Sequence, residues 1–290
     1  MCMRLNLRLF LLPSIRFIKL KIIKDTKDLM EVRSAFNEIT FIPTMGNLHD
    51  GHLSLFERAS KLKKPIFSSI FINPLQFNNK SDFTNYPKTL ENDISLLESQ
   101  ECECLFLPDE SILDNIEQIK AADKANFLCG ADRPGHFDGV LTIVNKLFDL
   151  MRPTDAVFGL KDYQQYLLIK DYVDSCKLPI NVLGSKTIRD KNGLAMSSRN
   201  NLLTNDELAK ASEIYKSLLF IKNNTNNLSK HLLSDASRNL NKEGFEVDYL
   251  KVINSITLQE CLSKDHKEGH QVVAIAAKLG SVRLIDNMFI

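Results

Sequence analysis

The chain has 290 residues, of which 44% are hydrophobic and 25% are charged, and this composition excludes disordered and collagen-like proteins. Lys and Arg total 37 against 36 for Asp and Glu, which gives a formal net charge of +1. Proteins that bind nucleic acids or anionic membranes usually carry a clear basic excess. No apolar run approaches the roughly 18 residues of a membrane-spanning helix, so we expect no nucleic-acid partner and no membrane span.

The first stretch of the chain is basic and irregular. Residues 1–20 contain four basic residues and no acidic one, and their short apolar run is ended by Pro13. We interpret residues 1–19 as a basic N-terminal extension. A weak signal or transit peptide and a start codon placed too early are the alternatives.

From residue 20 to residue 186, predicted strands alternate with predicted helices. The strands are short apolar or β-branched runs; they cover 20–23, 40–43, 65–72, 104–107, 156–158 and 180–183. The helices have apolar residues at helical spacing; they cover the stretch after a Thr26 cap, 53–59, 90–97, 140–150 and 163–173. The polar segment 73–88 is predicted to be a long loop. This alternation predicts a parallel sheet with helices on both faces.

After about residue 200 the pattern changes to helices followed by strands. Two helices are predicted over 205–220 and 229–240, and three strands over 247–253, 271–277 and 282–285. The length allows one large domain or two modest ones. We therefore predict an α/β fold in which a Rossmann-like, doubly wound parallel sheet over 20–186 is followed by a smaller α+β domain over 187–290.

The cysteines indicate the compartment. The chain has 6 of them, without a Cys-x-x-Cys pair or a His–Cys cluster at zinc spacing. Disulfide frameworks belong to short secreted chains, so we interpret these residues as free thiols in a reducing compartment. We predict a cytoplasmic protein.

The best candidate site follows the second strand. Ligands bind beyond the carboxyl ends of the strands in an open α/β sheet, and residues 44–52 read Thr-Met-Gly-Asn-Leu-His-Asp-Gly-His. Gly46 allows a close approach of the backbone to a ligand, and Gly51 lies where a helix start favours anions. His49 and His52 can face one bound group. Their spacing suits a phosphate better than a metal, since zinc-protease histidines are four apart with a Glu between them. Two surface histidines on a polar loop are the alternative.

Two further segments carry polar groups for a substrate. Asn73 and Gln76 follow the third strand and suit a substrate rich in hydroxyl groups; a turn built around Pro74 is the alternative. Arg133 lies before a Pro and a Gly, which predicts a positively charged side chain on a loop of restricted conformation. An ordinary helix start capped by Asp138 is the alternative reading there.

Two later loops offer cationic and hydroxyl groups. Lys161 follows a strand and a glycine and precedes a helix, which again is a phosphate-facing geometry, and Asp162 could cap that helix. In the Gly-led loop 193–200, the hydroxyls of Ser197 and Ser198 and the guanidinium of Arg199 can surround a polyphosphate.

Five segments in this order resemble the motifs of the pantoate–β-alanine ligase family. They are residues 43–52, 70–77, 133–137, 158–165 and 193–200, of which the last reads Gly-Leu-Ala-Met-Ser-Ser-Arg-Asn. The resemblance extends over nearly all of residues 20–290, although the part after residue 201 matches by type rather than by motif. The family belongs to the nucleotidyltransferases related in fold to class I aminoacyl-tRNA synthetases.

The resemblance implies a ligase that uses ATP and Mg²⁺ and acts in two steps. The carboxylate of pantoate attacks the α-phosphate of ATP to give pantoyl adenylate and pyrophosphate, and the amine of β-alanine then gives pantothenate and AMP. A carboxylate is ionised at neutral pH, so the first step needs neither a protein nucleophile nor a base. The family also implies a homodimer.

The family implies roles for individual residues of this chain. Those implied for catalysis are His49, His52, Arg133, Lys161, Ser197, Ser198 and Arg199. Those implied for ATP binding are Met45, Gly46, His49, His52, Gly159, Lys161, Asp162, Met196, Ser197, Ser198 and Arg199. Those implied for pantoate are Met45, Asn73, Gln76 and Gln165. Asp93 is the carboxylate expected near Mg²⁺, through a water molecule.

Three other functions would account for part of this pattern. Another adenylyl- or cytidylyltransferase would share the histidine motif but lack the paired glutamines Gln76 and Gln165. A synthetase-like nucleic-acid binder is disfavoured by the charge balance and the absence of a basic stripe. A non-catalytic interaction protein would use the Asn-rich linker 222–227 as a binding loop.

Overall fold

The computed structural model describes residues 19–262 and 270–290, so the predicted extension 1–19 falls outside the described residues except for Lys19. Six parallel strands form the first sheet. They are β1 Lys21–Ile23, β2 Thr40–Thr44, β3 Ile66–Ile70, β4 Cys104–Phe106, β5 Asp155–Gly159 and β6 Asn181–Ser185. Their order in the sheet is β1-β4-β3-β2-β5-β6. The predicted doubly wound parallel sheet is confirmed.

Helices cover both faces of this sheet. They are α1 Thr26–Ser34, α2 Asp50–Ser60, α3 Lys80–Thr84, α4 Leu90–Ser99, α5 Leu128–Asp132, α6 His136–Met151 and α7 Tyr163–Ser175. Consecutive strand residues point to opposite faces. On β2, Phe41 packs with residues of α1, α6 and α7, and Ile42 packs with residues of α2 and α4. Because both faces are covered, the strands are apolar nearly throughout.

The remaining elements form the second sheet and its helices. Helices α8 Asn205–Ala211, α9 Glu213–Asn223 and α10 Lys230–Lys242 precede three strands, β7 Phe245–Asn254, β8 Gln271–Leu279 and β9 Val282–Phe289. These strands are antiparallel in the order β7-β8-β9, and they pack with α9 and α10 around a separate apolar core. The predicted α+β character is confirmed, and the division at residue 186 stays a prediction.

Several predicted boundaries differ from the structure. The side chain of Asp25, not Thr26, caps α1, because it accepts the backbone N–H groups of Lys27 and Asp28. Helix α6 begins at His136, directly after Gly135 turns the chain with φ of +78°. The predicted helix 205–220 is divided between α8 and α9 at Ser212.

The sheet order fixes where a crevice opens. The chain leaves β2 toward β3 and β4 on one side, and it leaves β5 toward β6 on the other, although β2 and β5 are neighbours. Connections that diverge in this way leave a gap beyond the carboxyl ends of the two strands. Within residues 19–262 and 270–290, no helix is both long and apolar enough to cross a bilayer.

Candidate active site

A cleft of about 240 Å³ lies beyond the carboxyl ends of β2 and β5. Most of the residues singled out from the sequence line it. They are Met45, His49, His52, Asn73, Gln76, Arg133, Gly159, Lys161, Asp162, Gln165, Met196, Ser197, Ser198 and Arg199. Gly46 and Asp93 do not. The sequence thus placed residues from five separate segments in one cleft.

The two histidines form a capping box at the start of α2. The Nδ1 atom of His49 accepts the backbone N–H of Gly51 at 3.1 Å, and the Nδ1 atom of His52 accepts the backbone N–H of His49 at 3.3 Å. A neutral imidazole that accepts at Nδ1 carries its proton on Nε2. Each ring therefore has a single donor left, the Nε2–H group, and the ring centroids are 4.1 Å apart.

Burial keeps these imidazoles uncharged. Burial, and then the charge of Lys161, lowers the pKa of His49 from 6.5 to about 4. Burial, and then the neighbouring His49, lowers the pKa of His52 to about 3. At neutral pH the pair offers two hydrogen-bond donors without adding positive charge to the cleft.

Lys161 lies in the turn Leu160–Asp162, between β5 and α7. Its side chain is only 17% exposed, and its Nζ lies 3.6 Å from the carboxylate of Asp162. Asp162 stands at the N-cap position of α7, but its side chain makes no capping hydrogen bond, so the prediction that it caps this helix is wrong. A Cβ atom on Gly159 would meet no atom within 4 Å, which leaves open space at the end of β5.

The loop 196–199 closes the cleft from the other side. The side chain of Ser197 caps the short 3₁₀ helix Ser198–Leu202 by accepting the backbone N–H of Arg199. Ser198 exchanges two hydrogen bonds with Asn47, which join this loop to the histidine loop. The guanidinium of Arg199 pairs with Asp82 on α3 at 3.0 Å. The predicted long loop 73–88 therefore contains a helix, α3, whose Asp82 pairs with a residue of the cleft.

The amide of Gln76 belongs to a small polar network. Asn73 donates from Nδ2 to Oε1 of Gln76 at 3.1 Å and to the carbonyl of Gly139 at 3.0 Å. The Nε2 atom of Gln76 lies 3.0 Å from the sulfur of Met45. A Cβ atom at position 139 would lie 2.3 Å from the carbonyl oxygen of Leu75, so only glycine lets α6 approach this turn so closely.

The two adjacent glutamines of α7 have different environments. Gln165 lines the cleft. Gln164 is turned away and buried, and its Nε2 donates to the carbonyl oxygens of Lys124 and Phe127 at 2.9 and 2.7 Å. This arrangement leaves Gln165 as the α7 glutamine that can reach a molecule in the cleft.

His136 is a cleft residue to which the sequence interpretation gave no role. Its Nδ1 lies 2.7 Å from the carbonyl oxygen of Gln76, and its Nε2 lies 3.2 Å from Nη1 of Arg133. The carbonyl can only accept and the guanidinium can only donate, so His136 is the neutral tautomer with its proton on Nδ1. Burial, and then the charge of Arg133, lowers the pKa of His136 to about 4. The sequence contained a signal for this residue, since His136 lies in the segment 133–137, one of the five that resemble family motifs.

Arg133 is held by this histidine and by the same carbonyl group. Its Nη2 donates to the carbonyl oxygen of Gln76 at 3.1 Å. Burial, and then the nearby charge of Arg199, lowers the pKa of Arg133 from its usual value. Two guanidinium groups thus share one side of the cleft.

The carboxylate of Asp93, which the family places near Mg²⁺, is engaged by backbone groups in this structure. It is buried, and its Oδ2 accepts the backbone N–H of Asn47 at 2.9 Å while its Oδ1 accepts that of Leu48 at 2.8 Å. The hydroxyl of Thr89 adds a third hydrogen bond to Oδ1. The carboxylate therefore fixes the loop after β2. In the part of the chain that the structure describes, no group of three or more His, Cys, Asp or Glu side chains could hold a metal ion.

Gly46 was predicted to let the backbone approach a ligand, but the structure gives it a role in the turn of the loop after β2. Its φ is +79°, a conformation that favours glycine, and a Cβ atom there would lie 3.0 Å from Oδ2 of Asp93. Gly46 thus allows the loop to turn onto the Asp93 carboxylate, and it does not line the cleft.

Comparison with known proteins gives one consistent result. The family model "Pantoate-beta-alanine ligase" matches residues 20–289. A pantothenate synthetase from Marinomonas sp. is 43% identical over 259 residues, which cover 87% of this chain and 91% of that protein. A pantothenate synthetase from Leptospira interrogans is 41% identical over 261 residues, covering 86% and 90%.

Solved structures agree with the sequence comparison. A pantothenate synthetase from Thermus thermophilus superposes with a TM-score of 0.85 at 34% identity and covers 92% of this chain and 98% of its own. A pantoate-beta-alanine ligase from Francisella tularensis, solved in complex with beta-gamma ATP and beta-alanine, gives a TM-score of 0.79 at 33% identity, with coverage of 93% and 98%.

The buried neutral histidines predict a loss of stability in mild acid. Unfolded histidines titrate near pH 6.5, whereas His49, His52 and His136 in the folded protein bind a proton only near pH 4, 3 and 4. Unfolding takes up protons below the unfolded pKa, so the free energy of unfolding falls as the pH drops from about 7 to 5. Each histidine adds a slope that approaches about 1.4 kcal/mol per pH unit.

Urea denaturation at about pH 7, 6 and 5 measures this slope. The control is His231→Asn, which removes an imidazole on α10 that has 84% side-chain exposure and lies 3.3 Å from Asp235; it should change the slope far less than the loss of a buried histidine. Equal unfolding free energies at pH 7 and pH 5 in the parent protein would show that the three histidines are not buried in the neutral form.

Asp93→Asn separates a loop-fixing role from a metal role. The amide replaces one acceptor oxygen by a donor that faces a backbone N–H, so we expect the free energy of unfolding to fall by about 2 kcal/mol. The Mg²⁺ concentration that gives half-maximal activity should not change. The control is Glu91→Gln, which alters an exposed carboxylate on the same helix. Unchanged stability together with a raised Mg²⁺ requirement would restore the metal role.

Proposed function

Because the chain belongs to the pantoate–beta-alanine ligase family and forms pantothenate, we propose that it does so in two steps through a pantoyl adenylate made from ATP. Pantoate carboxylate attacks the α-phosphate, a P–O bond forms, and pyrophosphate leaves. The amine of β-alanine then attacks the activated carbonyl, a C–N bond forms, and AMP leaves with the electron pair of the broken C–O bond. The nucleophile of the first step is already ionised at neutral pH.

The observation that carries the proposal is the orientation of the two histidines. Since both Nδ1 atoms accept backbone N–H groups, His49 and His52 can act at the cleft only as Nε2–H donors. Negative charge shifts among the phosphoryl oxygens when the carboxylate attacks, and fixed donors stabilise such charge most strongly in a partly buried site. The site therefore suits phosphoryl chemistry that needs donors rather than a base.

We assign the cations of the cleft to the β- and γ-phosphates. Lys161 lies at the carboxyl end of β5, with little exposure of its side chain to solvent. Ser197 offers a hydroxyl group from the opposite loop, next to Arg199, and Ser198 does so when its hydroxyl releases the carbonyl of Asn47. Arg199 is paired with Asp82, so it exchanges this carboxylate for a phosphate when the nucleotide binds. Arg133 completes the positive side of the cleft.

Pantoate is assigned to the part of the cleft near β2 and α6. Gln76 and Gln165 offer amide groups for its hydroxyls and carboxylate, beside Asn73 and Met45. Apolar side chains form the wall against which its methyl groups pack; these are Val140, Ile143, Val144, Leu147 and Phe158. Amides on one side and aliphatic groups on the other match a small branched hydroxy acid.

Three further expectations rest on the family resemblance. They are a Mg²⁺ requirement, a homodimer and a cytoplasmic location, the last of which also rests on the free cysteines. Since three hydrogen bonds already engage the Asp93 carboxylate, we assign no described residue to Mg²⁺.

Pyrophosphate release tests the two-step proposal. Protein is mixed with ATP and pantoate without β-alanine, and pyrophosphate is measured in a single turnover. We expect a burst of about one equivalent per site that requires pantoate, because the adenylate forms before the amine is needed. Release with a different carboxylic acid but none with pantoate would refute the substrate assignment.

Lys161→Ala tests the phosphate contact. A preorganised charge contact in a partly buried site is worth roughly 3 kcal/mol, so we expect the rate of pyrophosphate release to fall by about a hundred-fold or more. Lys170→Ala, which removes a 44% exposed lysine side chain paired with Asp174 on α7, should keep the parent rate. If Lys161→Ala turns over like Lys170→Ala, Lys161 plays no part in the chemistry.

A further inference from the structure

The second sheet contributes polar groups to the side of the cleft where Lys161 lies. Strand β9 is an edge strand of this sheet, and it contacts both the turn Leu160–Asp162 and the 3₁₀ helix Ser198–Leu202. A second cavity of about 170 Å³ lies between β9 and the helices α5, α6 and α7, and both Asp286 and Asn287 line it. These two residues of β9 are buried although both are polar.

Asn287 binds the backbone of the Lys161 turn. Its Nδ2 donates to the carbonyl oxygen of Leu160 at 2.9 Å and to that of Lys161 at 2.8 Å. A primary amide has two N–H donors on this nitrogen, and both are used on adjacent carbonyl groups of one turn. The backbone from which the Lys161 side chain extends is thus held by a residue 126 positions away.

The neighbouring Asp286 is tied to the other loop. Its carboxylate binds the guanidinium of Arg189 through two nitrogens, one of them at 2.9 Å. Arg189 also donates to the carbonyl of Gly193 at 3.1 Å and lies over the ring of Tyr215, 4.4 Å from its centroid. Residues 189 and 195 pair across the hairpin that leads into the loop 196–199.

Two consecutive residues of β9 therefore reach both phosphate-side loops of the cleft. The Asn287 backbone joins the same network, because its N–H donates to Asp286 and its carbonyl accepts from Arg189 at 3.3 Å. A shift of this segment moves the Lys161 turn and the Arg189 hairpin together. When a catalytic group is displaced by about 1 Å, the reaction rate can fall about a hundred-fold.

We propose that Asn287 is a positioning residue that fixes the Lys161 ammonium relative to the loop 196–199 by binding the carbonyl groups of Leu160 and Lys161. The role rests on the phosphate contact assigned to Lys161 under the proposed function. Among the described residues, the side-chain hydrogen bonds of Asn287 go to backbone carbonyl groups of the turn, so it acts through Lys161.

The test compares Asn287→Ala with Asn254→Ala. Asn254 is a matched control: it lies at the end of β7 in the same sheet, its side chain also makes two hydrogen bonds to backbone groups, and it lines neither cavity. Asn287→Asp is the second variant, because it keeps the shape but places a carboxylate oxygen against two carbonyl oxygens. All three are compared by thermal unfolding and studied only at temperatures where they are folded.

Hydrogen–deuterium exchange is the first readout, and it needs no substrate. In Asn287→Ala we expect faster exchange of the amides in segment 159–162 than in the parent protein. No change is expected there in Asn254→Ala, because the turn after Asn254 contacts Tyr163, which lies outside that segment. Unchanged exchange in both Asn287 variants overturns the proposal, whatever the protein catalyses.

The rate of pantoate-dependent pyrophosphate release is the second readout. We expect Asn287→Ala to lower it about ten- to a hundred-fold, with Asn287→Asp slower still and Asn254→Ala unchanged. In the Lys161→Ala background, Asn287→Ala should change the rate by less than about two-fold, because a residue that acts through Lys161 has nothing left to position. Equal losses in both backgrounds overturn the proposal. Absence of the burst in the parent protein refutes the two-step function instead, and leaves the exchange result to decide on Asn287.

Discussion

The site depends on one constraint of the sheet: neighbouring strands β2 and β5 send the chain away in opposite directions. The histidine loop follows β2 and the Lys161 turn follows β5, so the two main groups of donors face each other across the gap. Asp93 then fixes the first loop through its backbone N–H groups, and Asn287 holds the second through its carbonyl groups. In both cases a side chain from a distant segment satisfies backbone groups that the sheet leaves unpaired.

The cleft combines positively charged side chains with neutral hydrogen-bond donors. Lys161, Arg133 and Arg199 bring three partly buried cations to one cleft, the exposed Lys186 adds a fourth at its edge, and a further buried cation would be costly. The histidines avoid this cost because burial and the neighbouring cations hold their pKa values far below 6.5. His136 contributes in a different way, since its two nitrogens link the Arg133 guanidinium to the Gln76 carbonyl. The neutral imidazoles thus supply hydrogen bonds of fixed direction, and the lysine and the arginines supply positive charge.

Much of the fold and of the candidate site followed from the sequence, because both rest on local patterns. Buried parallel strands are short apolar runs, and ligand groups follow them at their carboxyl ends. What could not be predicted depends on contacts between distant segments. Asp93 accepts N–H groups from residues 45 and 46 positions away, so its carboxylate could not be told from a metal ligand. Asn287 lies in a segment matched only by type. The sequence predicted that α6 starts at residue 140, because Pro134 and Gly135 are typical of a loop. The helix in fact begins directly after them, at His136.

The ion pair between Arg199 and Asp82 has a consequence for selectivity among anions. Under the proposed function, a phosphate group that binds Arg199 meets a carboxylate held at 3.0 Å by one guanidinium nitrogen, so the two anions compete for one cation. A small anion with little charge gains almost nothing in this competition. A triphosphate brings several negative charges and also meets Lys161 and the histidine donors, so it can compete. Asp82 thus acts as a built-in competitor that discriminates against the free phosphate of the surroundings and in favour of the nucleotide.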